Sequence, residues 1–316
     1  MLILTLTSDV HVPFVTRHLV SDVVVVDPAR MIDKCELSFS HDGRTTTVIY
    51  DGQPLKNIKS VWYRRPYVPE RDDLNVLGSH KDYAYTAVRK HMLDLYGMFQ
   101  DAFWLSDYCT ILKAEMKPRQ LELAARIGFR TPKTLSTSHS KAASDFLKRT
   151  GDSVAKSMAT TLPIVNAKVQ YFYTTMIPSG KQVDLGGLHL GPAIFQEAID
   201  VDRGLRVTVV GHKVFAAAVR DKNHYDYPDI TDWRRAYTSG ELHFEAFELP
   251  KDLEAKCVEL TKALNLQFGA IDLLLDKKGR FWFLEINPNG QWAFVEDDTG
   301  QPIGKAVAEL LERGGV

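Results

Sequence analysis

Two carboxylates interrupt runs that are otherwise apolar: Asp272 in FGAIDLLLD and Glu285 in RFWFLEIN. The runs are separated by a charged turn ending in Gly279, so the segment reads as a β-hairpin. An unpaired carboxylate in such a strand is costly to bury, and each therefore needs partners. Side chains alternate along strands. Pairing around a two-residue loop, whether Lys277-Lys278 or Lys278-Gly279, puts Asp272, Glu285 and Asn287 on one face, and a three-residue loop breaks that parity. Three hard oxygen donors on one face suit Mg²⁺, with water and nucleotide phosphates completing its octahedron. Pairing of the two acids with Lys or Arg at a sheet edge is the other reading open to them.

The chain has 316 residues, roughly two domains' worth, and 45% of them are hydrophobic, enough for sizeable cores. Lys plus Arg total 39 against 40 Asp plus Glu. With that balance and no polybasic or acidic tail, neither a nucleic-acid nor a membrane partner is expected. No run reaches the ~18 apolar residues of a membrane span, and the N-terminus lacks a signal-peptide pattern, so a cytoplasmic protein is expected. Cys35, Cys109 and Cys257 are odd in number and far apart, which suggests reduced thiols. The ten histidines form no HExxH pattern, and GxxxxGK[ST], GxGxxG and GxSxG are all missing, which excludes a P-loop as the phosphate cradle.

Patterning predicts a mixed α/β (α+β) chain. LILTLT and VVVVD read as strands around an intervening helix, CELSFS and TTTVIY as a hairpin across HDG, and IKSVWYRRP as a strand stopped by Pro66. Tyr83 to Met98 has helical spacing, and a first domain ends near residue 110. Beyond it, KPRQLELAARI reads as a helix stopped by Gly128, then come a strand near Pro132, a helix over residues 141–149 and the strand SVAKS. Residues 165–196 suggest hairpin strands punctuated by glycines. LRVTVV and KVFAAAVR flank a tight turn at Gly211-His212, and a helix near residues 303–312 closes the chain.

The string FGAIDLLLDKKGRFWFLEINPNG resembles the metal-binding end of the ATP-grasp fold. Its companions stand in the expected order: MKPRQLELA, VAKS, the hinge-like FQEAID, and LRVTVVGHKVFAAAVR. WYRRP, DWRR and EINPNGQW followed by TGQPIGKAVAELL are similar to the ATP-grasp maturases that make microviridins and related graspetides. The resemblance implies an ATP-grasp fold with an N-terminal pre-ATP-grasp domain at residues 1–112 and an ATP-grasp domain at 113–316, its nucleotide held between two lobes. It implies ATP and two Mg²⁺ ions, with Asp272, Glu285 and Asn287 as the metal ligands. The implied partner is a ribosomal precursor peptide with a leader and an acidic core, and the implied assembly is a homodimer.

On this pattern Lys117 and Lys156 meet nucleotide phosphates from two sides, although a lysine at either place, taken alone, is commonly a solvated surface residue. Gln196, Glu197, Ala198 and Ile199 resemble the hinge that reads adenine, largely through backbone groups. Asp200 or Asp202 is a candidate for the ribose, with Gly204 standing where the family commonly has an acidic residue. Arg206 and Arg234 are candidates for clamping the transferred phosphate or a substrate carboxylate through two hydrogen bonds, with Lys156 a further catalytic candidate and Arg220 a weaker one. Arg64 and Arg65 face the cleft or form ion pairs between domains.

The implied reaction is carboxylate activation. An Asp or Glu side chain takes a phosphoryl group to become an acyl phosphate, and a Thr, Ser or Lys side chain of the same peptide displaces phosphate to close an ester or amide ring. A ligase that adds an amino acid or small amine would use the same nucleotide motifs, and a binding module without catalysis would keep the fold.

Overall fold

The computed structural model describes residues 1–28, 30, 36–66, 78–158, 164–165, 168–169, 174–221 and 242–315. The chain opens with β1 (Leu2–Thr5), α1 (His11–Thr16) and β2 (Val24–Val26), followed by the meander β3 (Leu37–His41), β4 (Thr46–Tyr50) and β5 (Gln53–Pro54). Then come β6 (Ser60–Arg65), α2 (Lys81–Tyr96), β7 (Phe103–Leu105) and α3 (Tyr108–Ala114). Strands β2-β1-β6-β7 form a parallel sheet. Parallel sheets are covered on both faces, which explains the continuous apolar run of β1, buried at all four positions.

The next segment contains α4 (Lys117–Ile127), β8 (Thr134–Thr137), α5 (Ser140–Thr150), β9 (Ser153–Ser157), β10 (Ile164–Val165), β11 (Lys168–Val169), β12 (Thr175–Ile177) and β13 (Ala193–Glu197). Strands β12-β9-β13-β8 make an antiparallel sheet. Its Phe195 and Ile177 pack on Ala143 and Phe146 of α5, while Lys156 and Gln196 occupy the opposite face. As the sequence suggested, α4 stops at Gly128, which adopts a left-handed conformation.

The last segment holds β14 (Val201–Val210), β15 (Lys213–Asp221), β16 (Leu242–Ala246), α6 (Lys251–Ala263), β17 (Phe268–Asp276), β18 (Phe281–Asn287), α7 (Ala293–Thr299) and α8 (Ile303–Arg313). The antiparallel order is β16-β15-β14-β17-β18. One face packs Val207, Val209, Ile271 and Phe283 against Leu253, Cys257 and Leu260 of α6. The other joins Val210, Phe268 and Ala270 to Ile3, Trp62 and Leu105 of the N-terminal sheet through Trp292, Val295 and α8. Ile303, Val307, Leu310 and Leu311 recur at helical spacing and are buried along α8, each side chain contributing about 1.5–3 kcal/mol. The closing helix thus ties the first sheet to the last.

The decisive hairpin differs from the sequence expectation in its turn. Asp276 N–H donates to Arg280 O at 3.0 Å and Gly279 N–H to Asp276 O at 2.9 Å, so the loop has three residues, Lys277-Lys278-Gly279, with Gly279 at φ 74°. Such a loop alone would place Glu285 on the wrong face. A bulge corrects this: Leu273 pairs with Phe283 and Asp272 with Glu285, so Leu284 has no partner in the ladder. Asn287 pairs with Ala270, and the three oxygen donors share a face after all.

Helices α3, α6 and α7 carry no expectation from the sequence. Tyr171-Phe172-Tyr173, expected from the sequence as strand core rather than a peptide-binding edge, and the DWRR motif lie outside the described residues.

Candidate active site

Three elements carry the cations around the β17–β18 face. Lys117, in the first turn of α4, makes an ion pair with Glu285. A cation at a helix N-terminus opposes the helix dipole, so its placement there needs a carboxylate partner. Arg206 stands directly across β14 from Asp272 and donates to it through Nη1 at 2.7 Å, with Nη2 donating to Gln291 O at 3.0 Å. Lys156 Nζ donates to Gln196 Oε1 at 2.7 Å, and Gln196 Nε2 donates to Thr134 Oγ1 at 2.9 Å.

These cations act together on one group. Burial raises the proton affinity of Glu285, but Lys117, and behind it Lys156 and Arg206, outweigh that effect and hold the carboxyl below its usual range. Glu285 is therefore a carboxylate at neutral pH, and its side chain remains 37% exposed. Asn287 is exposed, and its Oδ1 accepts the Asn289 N–H at 3.0 Å.

Gln120 fixes the approach of Lys117. It lies three residues on, so both share a helix face. Its buried amide donates to Ala114 O at 2.6 Å and Ile286 O at 2.8 Å, and accepts the Ile286 N–H at 3.1 Å. At the far end of the hairpin, Asp276 accepts from Lys278 N, Arg280 N, Arg280 Nε and Trp282 Nε1, which locks the turn. Sequence reasoning named neither residue. The spacing Lys117-x-x-Gln120 and an Asp at the first position of a turn were the available signals.

The hinge residues are partly committed. Glu197 N–H donates to Lys133 O at 2.9 Å and Ala198 N–H to Asp152 O at 3.0 Å. Asp200 pairs with Lys277 across the surface at 2.8 Å, and Asp202 accepts from Arg203 Nε at 2.6 Å. Neither is assembled with the carboxylate face by a described contact. Arg220 falls on the opposite sheet face from Arg206 and pairs with Glu245. Arg234 lies outside the described residues.

The loop after β18 is pinned from both sides. Arg206 holds Gln291 O, Arg64 Nη1 donates to Asn289 O, and Trp292 N–H donates to His11 Nε2 at 3.0 Å. A Cβ on Gly290 would stand 2.3 Å from Ala270 Cβ and 3.3 Å from Arg206 Nη2, so only glycine permits this approach.

A family model described as the RimK-like ATP-grasp domain matches residues 114–311. The chain belongs to the RimK-like ATP-grasp family. Solved ATP-grasp structures align along its whole length. A Chryseobacterium gregarium RiPP-associated ATP-grasp ligase, in complex with ADP and a leader and core peptide, matches with a TM-score of 0.87 at 24% identity, over 100% of this chain and 97% of that one. The macrocyclase MdnC of Microcystis aeruginosa MRC, bound with precursor peptide MdnA, matches with a TM-score of 0.81 at 25% identity, over 99% of each chain. Among curated proteins, uncharacterized protein MG012 of Mycoplasma genitalium is 34% identical over 101 residues, covering 31% of this chain and 32% of that protein. The chain thus spans about a third of the curated relative it matches. The ATP-grasp fold and the likeness to peptide-modifying ATP-grasp ligases, both expected from the sequence, are borne out. No helix among the described residues is long and apolar enough to cross a membrane.

Proposed function

We propose that this protein is an ATP-dependent ligase that activates Asp or Glu side chains of a ribosomal precursor peptide as acyl phosphates and joins them to Thr, Ser or Lys side chains of the same peptide. The ion pairs Lys117–Glu285 and Arg206–Asp272 on one strand face carry this reading. Two carboxylates and an amide oxygen on one strand face form a hard donor set that fits Mg²⁺, and Asp272, Glu285 and Asn287 would hold it. An Mg²⁺ ion held there would supply charge neutralisation for the nucleotide phosphates. The cations paired with the carboxylates are the groups that would turn to the phosphates of ATP, and residues 196–199 with Asp200 or Asp202 would receive the nucleoside.

A peptide carboxylate oxygen attacks the γ-phosphorus, the bond to the bridging oxygen breaks and ADP departs. Arg206 and Lys156 stabilise charge on the migrating group. A hydroxyl or amine of the same peptide then attacks the acyl carbon, the carbon–oxygen bond to phosphate breaks, and the nucleophile's proton leaves with a base. Both reacting groups belong to one chain, and that confinement raises their effective concentration. Arg234 is retained as a candidate substrate clamp. We place the enzyme in the cytoplasm, as a homodimer, with residues 1–112 and 113–316 as its two domains.

ADP release with ATP, Mg²⁺ and an acidic precursor peptide tests the reading. Peptide-stimulated turnover that falls about 100-fold or more in Glu285→Gln is expected. Turnover unchanged by that substitution would remove Glu285 from the site.

A further inference from the structure

Arg64, for which the sequence left open the cleft or an ion pair between domains, belongs to a buried polar cluster of the N-terminal segment. Arg64, at the end of β6, is 2% exposed. Its Nε lies 3.6 Å from Asp9 Oδ2, and Asp9 Oδ1 accepts both the His11 N–H at 2.9 Å and His11 Nδ1–H at 2.7 Å. Thr5 Oγ1 donates to Asp9 Oδ2 at 2.9 Å. The Trp292 N–H needs an acceptor at His11 Nε2, so the proton of the neutral ring sits on Nδ1. The imidazole also meets the Trp292 ring edge-on, with centroids 5.0 Å apart.

Two side chains of this cluster reach the loop after β18. Arg64 takes Asn289 O and His11 takes Trp292 N, while from the opposite side Arg206 takes Gln291 O. The same loop begins at Asn287, whose side chain accepts from Asn289 N. A shift of Asn289 therefore moves Asn287, and a shift of Gln291 moves Arg206.

We infer that Asp9, His11 and Arg64 form a brace by which the N-terminal sheet positions residues 287–292, making Arg64 and His11 positioning residues for the metal face. The inference rests on the reading that Asp272, Glu285 and Asn287 bind Mg²⁺, and it gives WYRRP a role outside peptide contact. Supporting groups behind metal ligands commonly govern affinity by 10- to 100-fold when removed.

The test is a titration of the full chain with Mn²⁺, read by its electron paramagnetic resonance signal, in the presence of ADP. The variants are Arg64→Lys, His11→Gln and Glu285→Gln, with folding of each checked by circular dichroism. The brace predicts that Mn²⁺ affinity falls about tenfold or more in Arg64→Lys and His11→Gln while ADP binding without metal is unchanged. A purely structural role would lower the melting temperature and leave the affinity of the folded protein alone. If Glu285→Gln abolishes Mn²⁺ binding and folded His11→Gln binds like the parent, the metal assignment stands and the brace is overturned. If Glu285→Gln itself binds normally, the underlying reading fails instead. His11→Gln keeps the Arg64–Asp9 pair, so it carries the test should Arg64→Lys not fold.

Discussion

Gln120 grips both backbone groups of Ile286, the residue after Glu285, and so sets the distance between the helix that carries Lys117 and the strand that carries its partner. The carboxylate face and its nearest cation are thereby held by one buried amide rather than by their own ion pair. An exposed Lys–Glu pair contributes about 0–1 kcal/mol, too little to fix a geometry.

Removing that clasp is the first prediction. Gln120→Ala strands a buried N–H and two carbonyls, and should destabilise the chain by about 2–4 kcal/mol in urea unfolding. Turnover of the folded fraction should also fall, because Lys117 loses its registration. Parent-like stability would show that the clasp is dispensable.

Gly290 has no room for a methyl group against Ala270 and Arg206. Gly290→Ala should push the loop off Arg206 and reduce turnover, whereas Gly180→Ala, where nothing stands within 4 Å of the added carbon, should leave turnover alone. The positive φ of 78° at Gly180 gives that control a stability penalty of its own, which separates strain from site disruption. Equal turnover in the two variants would contradict the account.

The hairpin turn gives a pH signature. Burial raises the proton affinity of Asp276, but the hydrogen bonds from Trp282 and Arg280 overcome it and hold the carboxyl far below its ordinary 3.8. A depressed carboxyl contributes stability above the unfolded value and loses it as pH falls toward the folded one. Asp276→Asn should therefore be less stable than the parent at neutral pH, with the gap closing below about pH 4. A gap independent of pH would contradict the assignment.

His11 works in the same proton sense, in a higher pH window. Burial, opposed by Asp9 and aided by Arg64 and Arg65, lowers its pKa below the ordinary 6.5, so the folded chain keeps the ring neutral. The unfolded chain binds a proton as pH falls through about 6.5 and the native chain does not, so stability declines with acidification there. In His11→Gln that component of the slope should vanish when urea midpoints are compared at about pH 7.5 and 5.5. A slope identical to the parent's would place the titration elsewhere.

Much of the fold was legible because its strands are unusually pure. Val207, Val209, Ile271 and Phe283 mark one sheet face, and the Gly211 turn joins β14 to β15 as the pattern suggests. The acidic residues announced the site because carboxylates in apolar strands demand partners. What stayed hidden was relational. The bulge at Leu284 is invisible to alternation counting, and the parity argument reached the right face through the wrong loop length. Gln120 and His11 read as ordinary polar residues, since their partners are backbone groups 166 and 281 positions away.

The most direct test of the central claim is the intact mass of an acidic precursor peptide after incubation with enzyme, ATP and Mg²⁺. Ester or amide closure through an acyl phosphate removes one water per link, so successive losses of one water are predicted, with one ADP formed for each. Peptide recovered at its original mass while ATP is consumed with added amino acids or amines would contradict macrocyclisation and assign the same site to a small-substrate ligase.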